Sequence, residues 1–239
     1  MCAEQNSYDW LDLFSGGVPT APFFFGYTLE GLEQLYLAQS DSSGSHLCEL
    51  CVIGLVSYFE AFCKDHFAPI INIEPSLLKN LSKHGQDISI DPIKALELSN
   101  ALSFNIGFLV AEKYDFGTAH KINALYRALL MISPFSKDEI KTYDDLLRDR
   151  NLLVHHGGTY TSSYIAQNRS LLSTERNRPF FDSLVISKTY VTEKVNFIKE
   201  MARKMLKASH TALTNYLDEN EIQLPEWKQK ALDSFLDEQ

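Results

Sequence analysis

The sequence predicts an all-α protein, a bundle of about five to seven helices with a short irregular or β segment before the last long helix. Apolar residues recur at steps of three and four along most of the chain, which is the spacing of one face of a helix. Residues that start and stop helices bracket these segments. The composition, with 45% hydrophobic and 22% charged residues, is typical of a soluble globular protein.

Three regions are expected along the chain. Residues 1–27 should form an irregular N-terminal arm, because they contain prolines, glycines and three consecutive phenylalanines. These exposed aromatic side chains predict contact of the arm with the domain surface or with a partner. The helical domain is expected over residues 28–220, and a C-terminal helical extension over residues 221–239.

The ends of the helices can be assigned from single residues. The predicted helices span residues 28–40, 46–66, 75–85, 91–114, 117–133, 136–157, 189–220 and 225–238. Gly85 closes the third helix, an Asp-Pro pair opens the fourth, and Pro134 follows the fifth. Ser136 and Glu139 form a capping box at the start of the sixth helix, which Gly157 ends.

The stretch between the sixth and seventh helices is rich in Thr, Ser, Asn and Arg. It predicts a polar loop over residues 159–182, with a short strand over residues 183–187. The next helix carries a continuous apolar stripe and is therefore expected to be amphipathic.

Three cysteines and a histidine have the spacing of a zinc site, C-x2-C-x11-C-x2-H, formed by Cys48, Cys51, Cys63 and His66. They fall, however, within one predicted helix. At a rise of roughly 1.5 Å per residue, Cys51 and Cys63 would lie about 18 Å apart, too far for one metal ion. The sequence therefore predicts buried or half-buried free thiols on a helix, and the zinc site requires a break near Gly54. No metal ion and no cofactor are expected.

Charge and motifs exclude several classes of protein. A net charge of −9 and a pI near 5.2 argue against broad, charge-driven binding to nucleic acid, although they leave room for a local basic site. The start of the chain lacks the pattern of a signal peptide, and we expect a cytoplasmic protein that does not bind a membrane. Loops typical of ATPases and dinucleotide enzymes, and the zincin motif, are missing from the sequence.

The segment RNLLVHHGG, residues 150–158, is the most informative part of the chain. Helix C-termini favour a histidine in the last turn and a glycine directly after it. The end of a helix would therefore explain this segment without any functional role. Arginine suits planar contact with phosphate, and histidine can move a proton near neutral pH. Together they suit chemistry at a phosphodiester.

An arginine-rich surface is expected around this segment. Between residues 148 and 178 the chain has five arginines and no lysine, against only Asp149 and Glu175. The arginines are Arg148, Arg150, Arg169, Arg176 and Arg178. The last three are candidates for RNA contact. Tyr160 is a further candidate, because a loop tyrosine can stack on a base.

The sequence RNLLVH resembles the R-x4–6-H motif of the HEPN superfamily, whose nuclease members often carry Asn or Asp directly after the arginine. The resemblance extends at low specificity over residues 28–220, because HEPN domains are helical bundles whose motif lies near the end of the helix before the last long one. It implies a metal-independent endoribonuclease that works as a homodimer, with RNA as substrate. A protein partner that inhibits or activates the enzyme would fit the toxin and anti-phage members.

By position, the resemblance makes Arg150 and His155 the catalytic pair, with Asn151 in a supporting role. Two alternatives stay open. On a helix with about 100° per residue, Arg150 and His155 lie about 140° apart, whereas Arg148 lies on the side of His155. His156 is the alternative to His155 for the proton transfer. The competing interpretation is a non-catalytic HEPN-like module for dimerisation or partner binding.

Glu60 is a lone acid among aromatic residues on the second predicted helix. It can pair with a motif arginine across the bundle, or it can lie at the helix surface. The first case would make it a supporting residue of the site.

Overall fold

The structure is a computed structural model, and it describes residues 14–15, 18–19, 21–38, 46–97, 102–168 and 182–236. Within these ranges the protein is an all-α bundle, as predicted. The described α-helices are α1 (Ala21–Leu37), α2 (His46–Ile73), α3 (Leu78–Lys83), α4 (Pro92–Glu97), α5 (Leu102–Ala111), α6 (Ala119–Leu130), α7 (Lys137–His156), α8 (Ser162–Gln167), α9 (Lys188–Glu219) and α10 (Glu226–Asp233). Two short 3₁₀ helices, Pro75–Leu77 and Ser234–Leu236, precede α3 and follow α10.

The ten described α-helices exceed the predicted five to seven and also the eight segments assigned from the sequence, because one segment contains two helices and α8 was not predicted. The segment 91–114, predicted as one helix, contains α4 and α5, and residues 98–101 between them lie outside the described ranges. The Asp-Pro start is confirmed, since the Asp91 side chain accepts a hydrogen bond of 2.9 Å from the backbone N–H of Ile93.

Helix α2 forms the centre of the bundle and packs against α1, α5, α7 and α9. It runs without a break from His46 through Gly54 to Ile73. Among the described helices, α2 alone is long and apolar enough to cross a membrane, with a mean hydropathy of 1.5. The central helices of soluble proteins often share this composition, and α2 buries most of its C-terminal half within the bundle.

A close contact between α2 and α5 occurs at Gly107. A Cβ atom added at Gly107 would lie 2.0 Å from the carbonyl oxygen of Ala68, so only glycine fits here. The backbone N–H of Gly107 also donates a hydrogen bond of 2.7 Å to Oδ1 of the buried Asn72. The two helices are therefore fixed in register at this point.

The N-terminal arm is shorter than predicted. Helix α1 begins at Ala21, so residues 21–27 are helical rather than irregular. The reason is that the buried stripe of Leu29, Leu32 and Tyr36 extends one turn earlier, to Phe25. Before α1, a two-residue strand β1 (Phe14–Ser15) pairs antiparallel with β2 (Val18–Pro19), and both contact α10.

The loop predicted over residues 159–182 contains a helix. Helix α8 is capped by Thr161, whose side chain accepts a hydrogen bond from the Tyr164 N–H, and it buries Tyr164 and Ile165. The strand predicted over residues 183–187 reduces to a single bridge between Thr159 and Ser183. Burial of two large side chains, which the polar composition of the segment conceals, explains the extra helix.

The C-terminal helix belongs to the same core as the rest of the bundle. Ala231, Leu232 and Phe235 are buried in the cluster that α2 and α9 build. Residues 221–236, predicted as an extension outside the domain, therefore contribute to its stability.

Candidate functional site

Helix α7 positions the motif, and both of its ends are as predicted. The Ser136 side chain accepts from the Glu139 N–H, and the Glu139 carboxylate accepts from the Ser136 N–H at 2.6 Å, which completes the capping box. At the other end Gly157 adopts a left-handed conformation, with φ 57° and ψ 31°. The helix is regular up to His156, so the angular spacing of the motif residues can be read from helix geometry.

Arg150 is anchored across the bundle by Glu60. Its Nη2 donates a hydrogen bond of 2.9 Å to Oε1 of Glu60 on α2, and the two side chains are only 22% and 31% exposed. Glu60 therefore pairs with a motif arginine across the bundle and is not a free acid at the helix surface. The Nε of Arg150 is buried and has no hydrogen-bond partner among the described residues. Arg150 is thus directed towards α2.

Arg148 is held in a different direction. Its Nη1 donates 2.9 Å to Oδ1 of Asn168, the residue that ends α8, and its Nη2 donates to Asp145. The side chain is 21% exposed. The guanidinium therefore lies between α7 and α8, with an exposed fraction close to the 22% of Arg150.

Asn151, His155 and His156 are exposed at the end of α7. Because α7 is regular here, Arg148, Asn151 and His155 lie on one side of the helix, with Arg148 and His155 about 20° apart. Arg150 points about 140° away from His155, towards α2. One subunit therefore brings Arg148, Asn151 and His155 to one face, and it does not bring Arg150 to that face.

A polar cluster beside the motif was not predicted. Asp149 accepts a hydrogen bond of 2.7 Å from the Tyr164 hydroxyl on α8 and another from the Tyr190 hydroxyl on α9. Burial, followed by the hydrogen bond to Asp149, raises the pKa of both tyrosines far above the ordinary value. Asp149 thereby ties α7 to the two elements that flank it. No local sequence signal links these residues, because the contact depends on the fold.

Tyr160 lies against this cluster. Its ring stacks on Tyr164, with a centroid distance of 5.3 Å and an interplanar angle of 9°. Tyr164 is buried and fixed by Asp149, whereas Tyr160 is half-buried. Tyr160 therefore presents a supported aromatic ring close to the end of α7.

The arginine-rich surface expected from the sequence is only partly described. Arg169, Arg176 and Arg178 lie outside the described residues. Arg148 and Arg150 are each paired with a carboxylate, from Asp145 and Glu60 respectively. Among the described residues, neighbouring carboxylates therefore neutralise the two motif arginines, and these do not form a strongly positive surface.

The cysteines do not form a metal centre with His66. Cys48, Cys51 and Cys63 are buried free thiols, as predicted, and Cys2 lies outside the described residues. Because α2 does not break at Gly54, its cysteines are spread over several turns. Burial raises the pKa of Cys51 to about 11 and disfavours the thiolate that a metal requires. No group of three or more potential metal ligands occurs among the residues that the structure describes.

The site thus offers two exposed imidazoles, a partly exposed guanidinium, an exposed amide and an aromatic platform at one end of α7. These groups can transfer protons and bind an anion without a metal ion. Comparisons of the chain with models of protein families, with curated proteins and with solved structures found no match.

Proposed function

We propose that the protein is a metal-independent endoribonuclease of the HEPN type, cytoplasmic, acting as a toxin or an anti-phage effector. The observation that carries the proposal is the face of α7 that presents Arg148, Asn151 and His155 together, with His156 beside them. A partly buried cation within two turns of an exposed amide and an exposed imidazole forms a minimal set for cleaving a phosphodiester without a metal ion.

The reaction follows from the groups available. An imidazole of His155 or His156 takes the proton from the ribose 2′-OH, whose oxygen attacks phosphorus. The bond from phosphorus to the 5′-oxygen breaks, and the protonated imidazole returns its proton to the leaving oxygen. The products are a 2′,3′-cyclic phosphate and a 5′-hydroxyl. An arginine stabilises the additional negative charge in the transition state. DNA lacks the 2′-OH and is not cut.

The choice between Arg148 and Arg150 depends on the assembly. Within one subunit Arg148 lies on the side of His155, and Arg150 faces Glu60. A site with Arg150 and His155 would combine the motifs of two subunits, which fits the homodimer implied by the HEPN resemblance. In that arrangement Glu60 orients Arg150, and Arg148 binds a neighbouring phosphate.

A second candidate function is a non-catalytic module for partner binding. The observation in its favour is that both motif arginines are engaged by carboxylates, as expected for arginines that brace a bundle. In this case the residues of the motif hold α7 against α2 and α8, and an activating or inhibitory protein partner binds elsewhere.

The test is cleavage of total tRNA and rRNA by the purified protein in excess EDTA, with single-stranded DNA as control. We expect cuts in RNA only, ending in cyclic phosphates. His155→Ala and His156→Ala distinguish the two imidazoles, and both sites are exposed, so neither change should disturb folding. His120→Ala is the matched control, because His120 is an exposed histidine on α6.

For the arginine variants, the melting temperature must be measured beside the activity, because both arginines form ion pairs within the bundle. Arg148→Ala and Arg150→Ala are compared with Glu60→Gln, which removes the charge on the partner of Arg150 and leaves Arg150 in place. Loss of cleavage in Arg150→Ala at an unchanged melting temperature supports a two-subunit site, and light scattering should then show a dimer. An inert wild-type protein that is not toxic to a bacterial host would favour the partner-binding module instead.

A further inference from the structure

Two aromatic rings are stacked beside the end of α7. The rings of Tyr160 and Tyr164 have centroids 5.3 Å apart and planes inclined by 9°. Tyr164 is the buried member of the pair, only 7% exposed, and its hydroxyl donates a hydrogen bond to Asp149. Tyr160 is half-buried, and no second ring stacks on it among the residues that the structure describes. The outer ring of the pair is therefore supported by an inner ring that is itself fixed.

The backbone around Tyr160 is tied to the end of α7. The N–H of Thr159 donates a hydrogen bond of 3.0 Å to the carbonyl oxygen of His156, which closes a turn directly after the helix. Thr159 also forms the bridge to Ser183, and the N–H of Tyr160 donates 3.1 Å to the carbonyl oxygen of Asp182. Tyr160 thus lies one residue beyond a turn that closes on His156, and its backbone is bonded to a second segment of the chain.

The hydroxyl of Tyr160 is not part of the polar cluster at Asp149. The hydroxyls of Tyr164 and Tyr190 both donate to this carboxylate. The Tyr160 hydroxyl makes no hydrogen bond with any residue in the described part of the chain. What Tyr160 contributes is therefore its aromatic ring, and the hydroxyl should be dispensable.

A ring of this kind suits an unpaired nucleobase. Burial, followed by the nearby charges of Asp182 and Asp149, raises the pKa of Tyr160, so the phenol is neutral near pH 7 and does not repel phosphate. Aromatic side chains stack on bases of any sequence, but only on bases that are not held in a duplex. A ring that is already supported loses little conformational freedom on binding.

We propose that Tyr160 is a specificity-determining residue of the ribonuclease site, which stacks on an unpaired base next to the phosphate at the histidines. Tyr164 and Asp149 are positioning residues, because they hold the ring on which Tyr160 rests. The inference rests on the proposed ribonuclease function. It names the substrate of that site as RNA whose base beside the cut is unpaired.

The experiment measures binding of an RNA analogue that the protein cannot cut. The probe is a fluorescein-labelled octamer of mixed sequence with 2′-O-methyl sugars, because a blocked 2′-oxygen does not attack phosphorus. Anisotropy gives the Kd of the single strand and of the same strand paired with its complement. Tyr160→Leu should raise the Kd of the single strand about tenfold, since stacking of a base on an aromatic ring is lost. The Kd of the duplex should not change.

Three further variants separate stacking from a general effect on the fold. Tyr160→Phe keeps the ring and should bind as the wild type does. Tyr27→Leu is the matched control, because Tyr27 is a 74% exposed tyrosine on α1, and it should leave both Kd values unchanged. Tyr164→Phe releases the inner ring from Asp149 and should weaken single-strand binding less than Tyr160→Leu. Combined with Tyr160→Leu it should add nothing, because it acts through Tyr160.

The proposal is overturned if Tyr160→Leu binds the single strand as tightly as the wild type, or if it weakens the duplex equally. It is also overturned if Tyr160→Phe behaves like Tyr160→Leu, or if the wild type does not bind the single strand. Cleavage of unmodified RNA is judged separately. Binding that depends on Tyr160 without cleavage would refute the ribonuclease and support the stacking role, and cleavage with binding that is independent of Tyr160 would do the reverse.

Discussion

Replacement of His66 by phenylalanine should reduce the loss of folding stability that occurs as the pH falls. His66 lies on α2 and is fully buried. Its ring stacks parallel to Phe62 at 5.8 Å and meets the edge of Phe235 at 4.6 Å. Neither ring nitrogen has a hydrogen-bond partner among the described residues. Burial among these aromatic rings lowers the pKa of His66 from 6.5 to about 3, so the folded protein holds the imidazole neutral.

The sign and the size of the effect follow from proton linkage. The unfolded chain binds a proton at His66 near its ordinary pKa, and the folded protein does not until the pH is far lower. The stability associated with the neutral imidazole is therefore complete above pH 6.5 and is lost as the pH falls towards 3. With these two pKa values, the free energy of unfolding should fall by about 2 kcal/mol between about pH 7.5 and about pH 5 because of His66 alone.

The assay is urea unfolding of the wild type and of His66→Phe across this pH range. The difference in stability between the two proteins should grow by about 2 kcal/mol in favour of the variant as the pH falls. His66→Leu packs differently but also removes the titrating group, so its pH dependence should match that of His66→Phe. A difference that stays constant with pH would refute a buried neutral His66.

Three further changes test the fold around the site. Asp149→Asn removes the charged acceptor of two tyrosine hydroxyls and should cost about 1–3 kcal/mol in thermal unfolding; an unchanged melting temperature would contradict the bridging role of Asp149. Gly107→Ala places a Cβ 2.0 Å from the carbonyl oxygen of Ala68 and should cost about 2 kcal/mol or more, or about 4–8 °C in melting temperature; a neutral result would mean that α5 can move away from α2. A double-mutant cycle of Glu60→Gln and Arg150→Met should give a coupling energy of about 1 kcal/mol, and additivity of the two changes would contradict the ion pair.

The elements that carry the motif could be predicted because their signals are local. The capping box of Ser136 and Glu139 and the left-handed Gly157 fix the ends of α7 within a few residues of sequence. The amphipathic stripe of α9 is equally local. By contrast, α8 was not predicted. A helix of six residues is stable only through burial in the fold, and in α8 the buried residues are Tyr164 and Ile165.

The site itself could be predicted only as a list of residues. Sequence spacing brought Arg148, Arg150, Asn151 and His155 to attention, and helix geometry already separated Arg150 from His155. The direction in which each side chain is held depends on distant residues. Glu60, which anchors Arg150, lies 90 residues away in the sequence, and this distance leaves no local pattern to recognise it by.

The sequence by itself determined the helical class, the ends of α7 and the identity of the motif residues, because periodicity and capping act over a few neighbouring residues. Only the tertiary structure decided that Arg150 faces Glu60, that Asp149 joins Tyr164 to Tyr190, and that α1 begins as early as Ala21. These features arise from burial and from hydrogen bonds between elements far apart in the chain, which form only when the bundle has assembled.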